Sequence, residues 1–365
     1  MAADCDAINL SQGFPDFSPP AGLLQALSTA NAGQHHQYPP MMGIAPLRLE
    51  ISRKIQALYG AEVNPDTEIT VTSGATEALF VAIQAVVQQG DEVIVFDPAY
   101  DAYDPAITLA GGKAVHVNLA PDFSVNWQAV ADAITPRTRA IVINTPHNPS
   151  ATVMDAADLA ALESLAERHD LFVISDEVYE HMVFDDAEHQ SVLRSAALRQ
   201  RSFAVFSFGK TYHATGWKVG YVVACPGLNK EFRKIHQYVT FTTHSPSQYA
   251  LATFMAECPE HHENLSQFYQ QKRDLFASLL EDSNFKLKRS AGTYFQVADY
   301  RAISRQDDVA FCEYLTREIG VAAIPMSVFY QSPPEQHLVR FCFAKDDATL
   351  RAAAEKLRQL EHSND

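Results

Sequence analysis

Lys210 stands in Ser207-Phe208-Gly209-Lys210-Thr211, just past an apolar run, and Gly216-Trp217-Lys218-Val219-Gly220-Tyr221 follows. A lysine amine whose pKa is lowered can condense with an aldehyde cofactor. Ser207 and Gly209 are small enough to leave room for a ring. Taken alone, the position fits an exposed loop lysine better. Its company reverses that weighting. Asp176 ends the apolar run Leu171-Phe172-Val173-Ile174-Ser175. A carboxylate desolvated there needs a cationic partner. A protonated pyridine nitrogen is one, and keeping it protonated makes the ring an electron sink for a carbanion. The plainer alternative for Asp176 is a helix N-cap.

Gly74-Ala75-Thr76 falls where a strand turns into a helix. Free N–H groups and the positive helix end there suit a phosphate, though a plain N-cap reads the same way. Lys218 and Ser207 could add a charge and a donor to the same phosphate. Thr145-Pro146-His147-Asn148-Pro149 ends another apolar run. Proline on both sides stiffens the turn and fixes where Asn148 points. Asn148 and Tyr179, three residues past Asp176, could reach one phenolic oxygen of a ring. Tyr100, after Asp97-Pro98, could stack on that ring or be a core aromatic with a wet tip.

These residues need a scaffold that gathers loop ends. From about 68 to 224 strand and helix patterns alternate. Strands are expected over 68–73, 92–96, 114–119, 140–144, 171–175, 203–207 and 220–224, and helices over 76–89, 101–110, 127–134 and 156–168. Several strands are almost wholly apolar, as in a sheet buried on both faces. Repeated β-α units imply a mostly parallel, doubly wound sheet, and such sheets bind ligands at the carboxyl ends of their strands. All the residues named above lie there. Beyond 226 the pattern becomes helical, with a long helix over 264–280. A smaller α+β region follows: strands over 293–297, 321–324 and 337–343, helices over 308–318 and 348–360. The first thirty or so residues show no sheet pattern and are placed with it.

The ordered set Gly74-Ala75-Thr76, Tyr100, Asn148-Pro149, Asp176-x-x-Tyr179, Ser207-x-x-Lys210 and Lys218 resembles the class I aminotransferases of pyridoxal-phosphate fold type I. The resemblance runs from Asn9-Leu10-Ser11-Gln12-Gly13-Phe14-Pro15-Asp16 to Arg340-Phe341-Cys342-Phe343-Ala344-Lys345. The phrases QYPPMMGIAPLR, FDPAYDAY, NTPHNPSATV and SFGKTYHATGWKVGY are most similar to the branch that acts on methionine and kynurenine. It implies an α/β fold with a large cofactor-binding domain over 35–263 and a small domain from 1–34 and 264–365. It implies pyridoxal 5′-phosphate as cofactor. Lys210 would bond its aldehyde and shuttle the proton between substrate Cα and cofactor C4′. Asp176 would pair with the ring nitrogen, and Asn148 and Tyr179 with the ring oxygen. Tyr100 would stack on the ring. Gly74, Ala75, Thr76, Ser207 and Lys218 would hold the phosphate. Arg340 would clamp the substrate α-carboxylate, beside Gly13, Phe14 and Asn148. Tyr38 would reach the phosphate in a second subunit and Phe241 would wall that subunit's substrate pocket, so the active sites of a homodimer would be shared. Eight residues precede Asn9, fewer than the arm that helps cover the site in the family, which leaves the closure of the side-chain pocket open.

Composition agrees. The chain has 365 residues, 47% hydrophobic and 20% charged, and a net charge of −16. That profile is globular and argues against nucleic acid or anionic membrane as partners. No apolar run reaches the length of a membrane span, and the start lacks the pattern of an export signal. Five widely spaced cysteines without a CxxC fit a reducing cytoplasm. Glu260-His261-His262-Glu263 and His35-His36 read as solvated polar clusters, so no metal is expected. The expected activity is a ping-pong transfer from an L-amino acid to a 2-oxo acid. Methionine is the favoured donor, with aromatic amino acids, histidine and glutamine also accepted. The alternatives are a kynurenine aminotransferase with cysteine-conjugate β-lyase activity and a non-catalytic regulatory protein that binds the same cofactor.

Overall fold

A computed structural model describes residues 1–360. A two-residue strand, β1 (Ile8–Asn9), comes first. Seven strands then form the large sheet: β2 (Ile69–Thr72), β3 (Glu92–Asp97), β4 (Lys113–Asn118), β5 (Thr138–Asn144), β6 (Phe172–Asp176), β7 (Ser202–Ser207) and β8 (Gly220–Ala224). Their order is β2-β8-β7-β6-β5-β3-β4. Only β8 runs against the rest, pairing antiparallel with both β2 and β7. The carboxyl ends of β2, β3, β5, β6 and β7 therefore share one edge. Every residue of β2, β3 and β8 is buried, as expected for strands covered on both faces.

The helix Ala156–Arg168 begins at a capping box in which Asp155 and Asp158 exchange side-chain and backbone bonds. The helix Ala75–Val86 needs no such cap, because Gly74 turns the chain at φ 82. One apolar core gathers Ile51, Val71, Ile141, Val173 and Phe206 beneath the sheet, and Leu23 of the helix Ala21–Ala32 joins it. A second core gathers Leu10, Tyr269, Phe295, Phe341 and Leu357.

The second core surrounds a four-stranded sheet of order β12-β13-β10-β9, formed by β9 (Lys286–Leu287), β10 (Phe295–Asp299), β12 (Ile324–Pro325) and β13 (Leu338–Cys342). Three expectations are corrected here. The start of the chain does contribute a strand: β1 pairs parallel with β11 (Val321–Ala322). The single strand expected over 321–324 is two short ones in different sheets, β11 on β1 and β12 on β13. The helix expected over 308–318 is α-helical only over Asp308–Tyr314, widens to a π turn over Leu315–Ile319, and stops at Gly320 with φ 76. Among the described residues no helix is long and apolar enough to cross a membrane.

Candidate active site

A cavity of about 620 Å³ opens at the carboxyl edge of the large sheet and is closed on its other side by the small sheet. Gly13, Phe14, Gly74, Ala75, Thr76, Tyr100, Asn148, Asp176, Tyr179, Ser207, Lys210, Lys218 and Arg340 all line it. Tyr38 and Phe241 do not. Tyr38 is 84% exposed, Phe241 41%, and their rings meet edge-on at 5.6 Å on the surface.

Lys210 sits on the single helical turn Phe208–Thr211 that follows β7. Gly209 permits this turn, since a Cβ there would stand 2.9 Å from Thr215 Cα. The Lys210 amine donates to the Gly13 carbonyl at 2.9 Å and to the Tyr294 hydroxyl at 2.7 Å. Burial pulls its pKa down to about 8, helped by Arg340 and Lys218 and opposed by Cys342 and Asp176. At that pKa roughly a tenth of the amine is neutral at pH 7, far more than for an unperturbed lysine, and the neutral form is what a nucleophilic amine needs.

Asp176 closes β6 and is buried. Its carboxylate accepts from the Tyr103 hydroxyl at 2.8 Å and the Val178 N–H at 3.3 Å. Burial nevertheless pushes its pKa up to about 6. Among the described residues it forms no salt bridge, so its bonded partners are uncharged. Asn144, at the end of β5, donates to the Asp176 carbonyl at 2.8 Å and accepts from the Asn148 N–H at 2.7 Å. That one amide locks the Asn148 turn to the Asp176 turn. Burial pushes the Tyr179 hydroxyl well above its ordinary value, so it stays a proton donor.

Arg340 on β13 is buried, its guanidinium carbon over the Phe295 ring at 3.9 Å from the centroid. It donates to Asn148 Oδ1 at 2.5 Å and to the Ser11 carbonyl at 3.3 Å, and its Nε has no hydrogen-bond partner among the described residues. Among the described residues no carboxylate forms a salt bridge with it, though the Asp101 carboxylate acts on it at longer range. A buried guanidinium held this way is a ready clamp for an anion. Across the cavity, a Cβ on Gly74 would lie 3.3 Å from Lys218 Nζ, which places that ammonium at the N-terminus of Ala75–Val86. Gly220 lets the strands close up, for a Cβ there would meet Ala75 N at 2.8 Å.

Residues at or bonded to this site that were not singled out from sequence include Tyr103, Asn144 and Tyr294. Tyr103 lies one helical turn beyond Tyr100, and Asn144 is the polar end of an apolar run, so both carried a local signal. Tyr294 looks like any core aromatic.

A buried amine, a buried carboxylate and an anion cradle at the strand ends define a fold type I enzyme that works through a lysine-bound, phosphate-anchored cofactor. The chain belongs to the family Aminotransferase class I and II, which matches residues 6–357. It is 52% identical over 361 residues to the methionine aminotransferase of Escherichia coli (strain K12), spanning 99% of this chain and 94% of that one. It is 35% identical over 394 residues to kynurenine–oxoglutarate transaminase 1 of Rattus norvegicus, spanning 98% and 93%. Among solved structures, YbdL from Escherichia coli, reported with a methionine aminotransferase function, superposes with a TM-score of 0.97 at 52% identity, covering 98% of this chain and 94% of that chain.

Pyridoxal 5′-phosphate is the cofactor of this family, and the chain is an aminotransferase acting on amino acids and 2-oxo acids. The residues fit that group. Asp176 offers a desolvated carboxylate suited to a cationic ring nitrogen. The Gly74 turn leaves close approach beside the Lys218 ammonium, as a phosphate requires.

Proposed function

We propose that this chain moves the amino group of methionine, and of other amino acids with long side chains, to a 2-oxo acid, in two half-reactions. One observation carries the reading: Arg340 and the Lys210 amine line one cavity whose remaining wall includes Phe14, Phe295, Ile324 and Phe329. A carboxylate clamp beside an apolar wall suits an uncharged side chain. Among the described residues the only lining cations are Lys210, Lys218 and Arg340, so none is spare for a dicarboxylate. The methionine aminotransferase relative supports the same donor.

When bound, pyridoxal phosphate supplies an electron sink for the pair left as the substrate Cα–H bond breaks. The chain's residues do the rest. Arg340 grips the α-carboxylate bidentately, with the Gly13 N–H beside it, and Phe14 walls the side chain. That grip would turn the Cα–H bond toward Lys210, whose Nζ would take up and give back the proton. Asp176 would hold the ring nitrogen protonated. Asn148 and Tyr179 would bond the ring oxygen, and Tyr100 would stack on the ring. Gly74, Ala75, Thr76, Ser207 and Lys218 would hold the phosphate. The protein acts as a cytoplasmic homodimer. The exposed Tyr38 of each subunit reaches the phosphate of the other, and Phe241 walls the other's substrate pocket.

The test is the visible absorption of the cofactor-loaded protein before and after L-methionine. Loss of the lysine-bound band on adding methionine, and its return on adding a 2-oxo acid, supports the reading. A band unmoved by methionine, phenylalanine and histidine would sink the donor class.

A further inference from the structure

The hydrogen bonds of the Lys210 amine close a triangle. Nζ donates to Tyr294 Oη at 2.7 Å and to the Gly13 carbonyl at 2.9 Å, and Tyr294 Oη donates to the same carbonyl at 2.5 Å. Tyr294 is wholly buried, with its ring edge-on to Tyr179 at 5.1 Å and to Phe295 at 4.9 Å. Its place on the chain is equally constrained. Thr293 turns at φ 64, and a Cβ on Gly292 would stand 2.8 Å from both the Met182 carbonyl and the Pro146 side chain. Neither ring nor backbone has room to swing.

We infer that Tyr294 is a further catalytic residue: its hydroxyl, with the Gly13 carbonyl, seats the Lys210 amine whenever that amine is not bonded to the cofactor. This rests on the proposed role of Lys210. The reason lies in the valence of the amine. A neutral primary amine has two N–H bonds and one lone pair. Two acceptors fix both hydrogens, so the lone pair is left for the cavity that Lys210 lines. When the Cα–H bond breaks, the proton joins that lone pair and the electron pair stays with the substrate and cofactor. The ammonium then keeps its two seats, and the new N–H occupies the direction from which the proton came. Return of the proton is the reverse, and no further reactant is needed.

Tyr294 can serve both states because burial holds its hydroxyl well above the ordinary phenol pKa, so it stays protonated. It donates to Gly13 and offers its own lone pair to Lys210. Also facing the amine are Arg340 and Lys218, which disfavour the ammonium, Asp176 and Cys342, which favour it, and the Tyr179 ring at 5.5 Å.

The test uses full-length protein loaded with pyridoxamine 5′-phosphate, which leaves Lys210 free. The pH midpoint of Lys210 acetylation by trace acetic anhydride is read by peptide mass spectrometry. In the unaltered protein this midpoint is the reference against which the variants are read. Tyr294→Phe removes one acceptor from the ammonium and should lower the midpoint by about one pH unit. It should slow the methionine half-reaction at saturation about tenfold or more while the KM changes little. A fluorotyrosine at position 294 keeps the shape and weakens the acceptor, so a smaller shift of the same sign is expected even if the Phe variant folds poorly. Unmoved midpoints in both variants would overturn the assignment, since a space-filling ring predicts altered melting with unaltered titration. Lys210→Ala separates the two readings. If its cofactor-loaded form keeps the lysine-bound band, the role of Lys210 fails. If the band is lost while the Tyr294 variants titrate normally, only Tyr294 fails.

Discussion

Replacing Asp176 by asparagine should stabilise the cofactor-free protein while disabling it. The carboxyl has a pKa of about 6 in the fold against 3.8 in an unfolded chain, because burial penalises its charge. The sign follows from linkage. A carboxyl whose folded pKa is raised costs nothing below pH 3.8, and the cost grows as pH rises and levels off above pH 6. The full cost is about 3 kcal/mol, from a rise of about two pH units at roughly 1.36 kcal/mol each. At pH 5 the cost is only about 1.6 kcal/mol, since the folded carboxyl is still mostly protonated. Asparagine does not titrate, and any change in its bond to Tyr103 is constant with pH. The stability gap between variant and parent should therefore widen in the variant's favour by about 1.4 kcal/mol from pH 5 to pH 8. Urea unfolding of both cofactor-free proteins at the two pH values, at matched concentration, measures it. The same variant should bind pyridoxal phosphate more weakly, because its amide cannot hold the ring nitrogen protonated. A gap that stays flat, or narrows, between pH 5 and 8 would refute the argument that Asp176 is a strained anion.

Lys210→Ala should lose the lysine-bound absorption and slow the methionine half-reaction by at least about 100-fold, as expected for removal of the proton shuttle, read by stopped-flow absorbance. Arg340→Lys should raise the methionine KM roughly 10- to 100-fold, because a single ammonium cannot replace the fork, with the cofactor spectrum unchanged. His116 lies beside the carboxylates of Asp104 and Asp97, which lift it to about 9 from 6.5. Its contribution is complete below pH 6.5 and is lost as pH rises through 9, so His116→Gln should flatten the fall in stability over that window in a series of melts. The buried Lys54–Glu180 pair is also bonded by Tyr59. Lys54→Met leaves the buried Glu180 carboxylate without its lysine, with His181 at 3.4 Å and Tyr59 still beside it, and should cost about 3 kcal/mol in urea unfolding.

Much of this was legible where chemistry is local. The helix at 156–168 and the strand at 220–224 were placed to the residue, since Asp155 caps one and Gly220 opens the other. That the polar residues at the strand ends would gather around one cavity was legible because polar types there stand out against apolar runs. What could not be read was set by distant partners. The apolar run 321–324 looks continuous, yet its halves answer to β1 and to β13. The direction of β8 depends on β2, which lies far away in the chain. Its one local trace was that 208–219 holds no helix long enough for a parallel crossover. Tyr294 was invisible because its hydroxyl matters only through Gly13 and Lys210, from opposite parts of the chain.

Burial disfavours the charged form of three of the site's side chains, Asp176, Lys210 and Arg340. A charge that water does not satisfy binds a complementary charge more tightly than an exposed one would, since little hydration is surrendered on pairing. In the proposed function, the same desolvation that destabilises Asp176 would strengthen its hold on a protonated ring nitrogen, and that of Arg340 would sharpen its grip on a carboxylate. In Lys210 it keeps the amine able to take a proton near neutral pH. The surrounding rigidity is what sustains this: Asn144 ties two turns together, Phe295 backs the guanidinium, and the Gly13–Tyr294 pair fixes the amine. Loosening any of these would let water or a rotamer relieve the strain. The chain would then gain stability and lose the differences in affinity on which its chemistry depends.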